Sequence, residues 1–408
     1  MKQTFSQGLL IHIRRTVNSI AFFPALIALL FLVLSYLMIH LDYSAFGKEL
    51  KAEANWLKLK DASTARTLIS VVAGGILSLT VFSFTMVMVV LNQAASQMSN
   101  RVIDRLIGNR YQQFILGFYV GTIVYSLFLL SAIRDIDSGI YVPSLSTYLL
   151  IVFAVIDIFF FIYFLHDITQ SVKYAVIIRR IYRETEKAMK KSCRLVEAPH
   201  EAAPLKGEPL ISPATGIFEG YDKEAIVRLA KSENFILTFL YPLGSFVLCN
   251  TPIALLYFAN TVRTKDTVSS LQASLYINNE QTISNNFYYG FRQLTEVAVK
   301  ALSPGINDPG TAVLSLRSLA ELLAFRIVHF PAAEIQDEEG NARVITRELS
   351  VEELFNQTFL PIWDYGKNDR FVRNELHHLL LQLTSLHPHP AINKLLLQVN
   401  RRAALDNH

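Results

Sequence analysis

Asp157 is the residue whose type and position most directly suggest chemistry, because it interrupts a long apolar segment, YLLIVFAVIDIFFFIYFLHD. A charged carboxylate at the centre of a bilayer costs several kcal/mol unless it is protonated, paired or hydrated. Asp157 is therefore a candidate intramembrane acid that binds a proton or an ion. The alternative, which we weight equally, is a neutral Asp157 that hydrogen-bonds to a serine or threonine of the second apolar segment.

A second candidate is a stripe of small and polar residues along the second apolar segment. At 100° per residue, one face of a helix there carries Thr67, Ser70, Gly74, Ser78, Thr85, Asn92 and Ser96. Such residues let two membrane helices approach closely and hydrogen-bond, or they line a water-filled path when several copies surround an axis. We favour packing, and the polar continuation beyond Asn92 keeps the pore interpretation open.

The third candidate is a loop rich in proline and glycine, within the sequence ALSPGINDPGTA at 301–312. Asp308 and Pro309 have the residue types of a helix N-cap and first turn. We favour a structural corner between two helices, because these residue types are mainly turn formers. The alternative is a ligand or gating loop, whose candidate residues are Ser303, Pro304, Gly305, Asn307, Asp308, Pro309 and Thr311.

Other motifs do not indicate metal chemistry or catalysis. The histidines lack the i, i+4 helical spacing or cysteine partners of a metal site; they include His377, His378, His387 and His389. The sequence contains no GxSxG, HExxH, P-loop, dinucleotide fingerprint or paired-carboxylate motif. We therefore predict no metal site and no cofactor, and we do not predict an enzyme.

The composition indicates which elements must position these candidates. Of the 408 residues, 51% are apolar and only 18% charged, whereas a soluble chain carries about 25% charged residues. The charge deficit is concentrated in 1–166, with 12 basic and 8 acidic residues, against 26 of each in 167–408. Four apolar segments are long enough to cross a bilayer, and they span 20–41, 68–92, 114–133 and 148–166.

The distribution of basic residues predicts the orientation in the membrane. Lysine and arginine flank the start of the first span, the loop between spans two and three, and the end of span four; examples are Arg14, Arg101 and Arg179. Because cytoplasmic loops carry an excess of these residues, we predict a multi-pass protein of the bacterial inner membrane with both termini in the cytoplasm. The basic residues border apolar spans, so the lipid bilayer is the expected partner and nucleic acid is not.

We predict four regions along the chain. Residues 1–166 form a four-helix transmembrane domain, and 167–209 a basic juxtamembrane helix followed by a linker. Residues 210–282 form a small β-rich subdomain, a barrel or sandwich, and 283–408 a helical subdomain that contains the SPGINDP loop. The predicted fold class is thus an α-helical membrane protein with a C-terminal cytosolic α+β domain.

Several motifs resemble a bacterial family of predicted membrane proteins, domain of unknown function 2254. The hallmark A-L-S-P-G-I-N-D-P-x-T-A is present at 301–312, and further similarities lie at 23–26, 82–101, 166, 244–247 and 361–366. The chain departs from the family pattern at 281–286, where QTISNN replaces R-T-x-x-Q-D, and at 99–101, where SNR replaces S-P-R. The resemblance implies a multi-pass inner-membrane protein with a cytosolic C-terminal domain, and it implies no activity.

Two functions fit these features. The first is a homo-oligomeric channel or transport-related protein for an ion or small solute, with the second span facing the axis and the cytosolic domain regulating it. Four spans in one chain enclose little space, so a pathway needs several subunits. The second is a non-conducting membrane scaffold or sensor that binds a soluble partner through its cytosolic domain.

Overall fold

The computed structural model describes residues 22–53, 61–97, 110–133, 142–171, 173–195, 207–258 and 265–405. The chain divides into two compact units, Met1–Lys173 and Tyr174–His408. The first two residues of the predicted first span, and the loop cations Arg14 and Arg101, lie outside the described residues.

All regular secondary structure among the described residues of the first unit is helical. Its helices are α1 (Phe22–Tyr43), α2 (Ala45–Glu53), α3 (Ala62–Gln97), α4 (Arg110–Ala132) and α5 (Ser144–Ser171). Four of them, α1, α3, α4 and α5, are long and apolar enough to cross a membrane. The four predicted spans are therefore confirmed as candidate membrane helices. At 36 residues, α3 is about 54 Å long, which exceeds the hydrocarbon thickness of about 30 Å.

The helix α4 lies at the centre of the first unit, where it packs against α1, α3 and α5. Two glycines of α4, Gly117 and Gly121, form a GxxxG motif that faces α1. A Cβ added to Gly117 would lie 2.7 Å from the Cδ1 atom of Ile27, and one added to Gly121 would lie 2.7 Å from the Cγ atom of Phe31. Only glycine permits this close approach of the two backbones.

The second unit combines helices with short strands. Its helices are α6 (Tyr174–Ser192), α7 (Lys223–Ser232), α8 (Lys265–Ala273), α9 (Phe287–Ala301), α10 (Pro309–Val328), α11 (Val351–Gly366), α12 (Arg370–Leu386) and α13 (Pro390–Leu405). The helix α9 packs against α6, α10 and α11, and α10 also packs against α12.

The strands of the second unit form three small sheets. They are β1 (Cys193–Leu195), β2 (Glu208–Ile211), β3 (Gly216–Tyr221), β4 (Phe235–Phe239), β5 (Phe246–Val247), β6 (Pro252–Phe258), β7 (Leu275–Asn278), β8 (Phe330–Pro331), β9 (Glu334–Gln336) and β10 (Ala342–Ile345). One sheet has the order β2-β6-β4-β10-β9, a second the order β5-β3-β7, and β1 pairs with β8. Only the β4–β10 pair is parallel among these described pairs.

The two larger sheets share one hydrophobic core, to which Leu210, Phe218, Leu237 and Val344 contribute buried side chains. Neither sheet closes on itself within the described residues, so the barrel alternative of the sequence analysis is not confirmed. The strand β10 lies more than one hundred residues after β4 in the chain, yet it is the parallel neighbour of β4. The sheet therefore draws on residues from both predicted regions, 210–282 and 283–408.

Candidate functional site

The polar stripe of α3 points away from the rest of the first unit. The side chains of Thr67, Ser70, Ser78, Thr85 and Asn92 are exposed, and so is Gly74. A Cβ added to Gly74 would meet no heavy atom within 4 Å, in contrast to Gly117 and Gly121 of α4. The opposite face of α3 is the buried one, and it contains Ala65, Ile69, Ile76, Thr80 and Ser83. The side chain of Ser96 lies outside the described residues.

The hydroxyl groups on this stripe donate hydrogen bonds to their own helix. The Oγ atom of Ser78 donates to the carbonyl oxygen of Gly74 at 2.9 Å, and Oγ1 of Thr85 donates to that of Val81 at 2.9 Å. Each hydroxyl oxygen keeps free acceptor capacity on the outer surface. The stripe is thus a narrow, weakly polar strip on the exposed surface of α3, and a side chain added at Gly74 would contact no other described residue.

Asp157 occupies a different position, on the buried side of α5 near its midpoint. Its side chain is fully buried, and it faces Thr122 and Tyr119 of α4. The hydroxyl of Tyr119 in turn faces Ser83 of α3. Three membrane helices therefore bring four polar side chains together: Ser83, Tyr119, Thr122 and Asp157.

None of these side chains forms a hydrogen bond of ordinary geometry with the described part of the chain, although Thr122 lies close enough to Asp157, and Ser83 to Tyr119, to interact. The Oγ atom of Ser83, the hydroxyl of Tyr119, Oγ1 of Thr122 and both carboxylate oxygens of Asp157 are buried and lack a partner. Other buried hydroxyls in the first unit do form such bonds. Thr80 donates to the carbonyl of Ile76 at 2.7 Å, and Thr147 donates to that of Pro143 at 2.9 Å. Unsatisfied polar atoms are costly in an apolar interior, and they commonly mark functional sites.

A second buried acid in the first unit has the opposite environment. Asp42, near the end of α1, forms an ion pair with Lys51 of α2 at 3.0 Å. Its carboxylate also accepts hydrogen bonds from the backbone N–H groups of Leu145 (3.1 Å) and Ser146 (2.8 Å) at the start of α5. Asp42 therefore caps α5 and is fully satisfied, which is a structural role. Nothing in the sequence pattern distinguished Asp42 as a buried residue.

The predicted SPGINDP loop forms a helix–loop–helix corner between α9 and α10. Asp308 is the N-cap of α10, since its carboxylate accepts hydrogen bonds from the backbone N–H of Thr311 (3.1 Å) and from its hydroxyl (2.6 Å). Asn307 has a positive φ of 48°, and Pro304 and Gly305 are exposed. The other three candidates, Ser303, Pro309 and Thr311, belong to the same corner. A ligand or gating function for this loop stays a prediction.

The basic segment after span four forms the amphipathic helix α6. Its apolar face is buried against α9 and α10 and includes Ile177, Ile181 and Met189. Gly290 of α9 allows this packing, because a Cβ at that position would lie 1.8 Å from Oγ1 of Thr185. The exposed face carries Arg179, Arg180, Arg183, Lys187 and Lys190.

The segment that departs from the family pattern, 281–286, contributes to a partly buried polar network around Glu219 of β3. The carboxylate of Glu219 accepts hydrogen bonds from Asn278 (2.9 Å), Thr282 (3.1 Å) and Asn285 (3.3 Å). Gly244, with a positive φ of 90°, fits closely against Asn286. This network positions the start of α9, and it was not predicted from the sequence.

A second polar cluster in this unit surrounds Glu348. The hydroxyl of Tyr288 donates a hydrogen bond to its carboxylate at 2.9 Å, and Arg326 lies close enough to interact electrostatically. Removal from water raises the pKa of Glu348 above its ordinary value, against the lowering effect of these neighbours.

The buried thiol of Cys193 is also shifted. Burial raises its pKa to about 12.

Among the described residues, no group of three or more histidine, cysteine or acidic side chains could hold a metal ion. The candidate site that remains is in the first unit. It consists of the outward stripe of α3 and, on the inner side of the same helix, the cluster around Asp157.

Most of the chain matches one known family. A family model described as "Predicted membrane protein (DUF2254)" matches residues 17–382. Uncharacterized proteins of Mycobacterium bovis and Mycobacterium tuberculosis (strain H37Rv) are each 24% identical to it over 271 residues, which is 63% of this chain and 51% of each relative. The chain thus spans about half the length of these curated relatives. No solved structure matches it at a significant level.

Proposed function

The chain belongs to the DUF2254 family of predicted membrane proteins, and from this premise we propose that it is a homo-oligomeric channel or transport-related protein for an ion or small solute. In this proposal it resides in the bacterial inner membrane with both termini in the cytoplasm. The second unit is then a cytosolic α+β domain, a small β sandwich followed by a helical bundle, that regulates the membrane part.

The outward direction of the α3 stripe is the observation that supports this proposal. Lipid tails offer no hydrogen-bond partners, so a lipid-facing helix gains nothing from serine, threonine and asparagine. Small residues are favoured where two helices approach closely. Gly117 and Gly121 serve this purpose inside the chain, whereas Gly74 and Ser78 face outward. A second copy of the chain is the partner that fits such a surface.

Several copies arranged around an axis would place the α3 stripes side by side. The exposed Asn92 extends the polar surface toward the end of the span, and hydrophilic residues along an axis allow water to enter. Transport then follows from the same surface that holds the subunits together. In this proposal the excess of basic residues in the loops puts the second unit on the cytoplasmic side of the membrane.

Cysteine cross-linking tests the subunit contact. In a full-length chain in which Cys193 and Cys249 are replaced by serine, Ser78→Cys should cross-link to a second copy in lipid nanodiscs. Phe84→Cys is the matched control, because Phe84 is exposed on the same helix but lies about 120° from Ser78 around the helix axis. A protein that stays monomeric, or equal cross-linking at both positions, would contradict the proposal.

Flux from proteoliposomes tests transport separately. Ser78→Leu should reduce the flux of small ions, because a large apolar side chain blocks both the close contact and the polar surface. Phe84→Leu is a control on the same helix, since Phe84 is already apolar and exposed and lies about 120° from Ser78 around the helix axis. An oligomer that carries no flux of any tested ion would leave the scaffold or sensor function instead.

A further inference from the structure

We propose that Asp157 and the three hydroxyl groups around it form a site for a small monovalent cation, a proton or Na⁺, inside the membrane. This inference goes beyond the proposed subunit contact, because the site lies within one chain. It concerns binding and holds whether or not the protein conducts ions.

The burial of Asp157 requires that its charge be compensated. The side chain is 0% exposed, and neither carboxylate oxygen has a hydrogen-bond partner in the described part of the chain. An uncompensated carboxylate in an apolar environment costs several kcal/mol even after relaxation. A bound cation removes this cost, whereas no described basic side chain reaches Asp157 to do so.

The groups around Asp157 suit a small cation that prefers oxygen ligands. Ser83, Tyr119 and Thr122 each contribute one buried hydroxyl oxygen, and Asp157 contributes two carboxylate oxygens. All five atoms come from three different helices, α3, α4 and α5, at mid-span positions. Buried oxygens of this kind coordinate Na⁺ or exchange a proton in membrane proteins.

The comparison with Asp42 indicates that Asp157 is not a structural acid. Both carboxylates are fully buried in the first unit. Asp42 is satisfied by Lys51 and by two backbone N–H groups, so its charge contributes to holding α1, α2 and α5 together. Asp157 has neither a basic partner nor a backbone N–H donor of this kind among the described residues.

Tyr119 is the titratable group that faces Asp157 from the helices packed against α5. The contribution of α3 at this level is Ser83, which does not titrate. The remaining charged residues and histidines of α1, α3, α4 and α5 lie nearer the helix ends or on the opposite face of α5: His40, Asp42, Arg66, Arg110, His166 and Asp167. Ser146, where Asp42 binds, is about 17 Å from Asp157 along α5.

Carbodiimide labelling of the full-length protein in lipid nanodiscs tests the site. Dicyclohexylcarbodiimide enters membranes and reacts with protonated carboxyl groups, and mass spectrometry locates the product. Asp157 should be labelled at least ten times faster than Asp42, and the rate should fall as the pH rises from 5 to 9. Asp157→Asn should remove this labelling and leave Asp42 unlabelled.

Exchange of NaCl for choline chloride at constant ionic strength distinguishes the two cations. If Na⁺ slows the labelling several-fold and choline does not, the site takes both Na⁺ and a proton. If neither salt changes the rate, the site takes a proton alone. Both results support the proposal.

A second measurement covers the case in which the reagent does not reach the site. Infrared difference spectra between pH 5 and pH 9 should contain a protonated-carboxyl signal that Asp157→Asn removes. The proposal is overturned if Asp157 reacts no faster than Asp42 at every pH and this signal is absent. Thr122→Val, which keeps the shape of the side chain, should change the pH or Na⁺ dependence without loss of folding.

Discussion

The carboxylate of Asp42, near the end of the first span, accepts a hydrogen bond from the backbone N–H of Ser146 at 2.8 Å, at the start of the fourth span. The same carboxylate pairs with Lys51, whose Nζ atom also donates to the carbonyl oxygen of Asp42 at 2.7 Å. One acidic residue therefore links three helices at one end of the membrane unit.

Asp42→Ala should destabilise the first unit by about 3 kcal/mol, because it leaves Lys51 buried without a partner and removes the cap of α5. Lys51→Met should cost less, about 1 kcal/mol, because Asp42 keeps its backbone donors. Thermal unfolding of the two variants in the same detergent measures this difference. If both variants lose the same stability, the ion pair and not the cap accounts for most of the contribution of Asp42.

Gly290→Ala should destabilise the second unit by about 3 kcal/mol, since its Cβ would lie 1.8 Å from Oγ1 of Thr185 and force α6 away from α9. Gly305→Ala is the matched control, because Gly305 is exposed in the α9–α10 corner and an added Cβ meets nothing within 4 Å. That variant should stay within about 0.5 kcal/mol of the wild type. Chemical unfolding followed by circular dichroism provides the measurement.

Combining Gly290→Ala with Thr185→Ala should recover part of the lost stability, because the double variant removes the clashing hydroxyl and methyl groups but not the Cβ atom at 2.8 Å. If the double variant loses more stability than the two single variants lose in total, a direct clash between the two side chains is contradicted.

The stability of the second unit should depend on pH through Glu348. Burial raises the pKa of this carboxyl above its ordinary value of 4.5, so the folded state binds the proton more tightly than the unfolded state does. The contribution of Glu348 is therefore fully present below pH 4.5, and it is lost as the pH rises through the raised pKa.

Glu348→Gln should make the stability of the second unit depend less on pH. The glutamine oxygen still accepts a hydrogen bond from the hydroxyl of Tyr288. Asp337 is a control, because its contribution to stability changes with pH in the opposite direction to that of Glu348. A hydrogen bond from Arg343 lowers the pKa of Asp337 to about 2, so its contribution is present above pH 3.8 and is lost as the pH falls. Between pH 4 and pH 9 the unfolding midpoint should depend less on pH in Glu348→Gln than in the wild type, whereas in Asp337→Asn it should be lower by a nearly constant amount.

The two cysteines should differ sharply in reactivity. Cys249 is exposed, whereas Cys193 is buried, and burial raises its pKa to about 12. Because the thiolate is the reactive form, a maleimide at pH 8 should label the folded chain once, at Cys249. Mass spectrometry of Cys249→Ser should then find no labelling until the protein is unfolded. Rapid labelling of native Cys249→Ser would contradict the burial of Cys193.

The four spans could be predicted from the sequence, because the length and apolar character of a membrane helix are local properties of the chain. The same holds for the cap of α10, where Asp308 and Pro309 have residue types that suit a helix start wherever it occurs. The β-rich region was harder to predict. The strand β10 pairs with β4 across more than one hundred residues. The alternation of apolar and polar residues along a single strand does not indicate which distant strand it pairs with.

Four candidate membrane spans, the family, and the unusual character of Asp157 and the α3 stripe could all be inferred from the order of the residues. The direction in which Asp157 and the stripe face could not be inferred in this way and is known from the folded chain. A helical pattern defines two faces but does not say which one meets its neighbours, since that depends on how α4 packs between α1, α3 and α5. That packing turns the Gly74–Ser78 surface outward and encloses Asp157 among three hydroxyl groups.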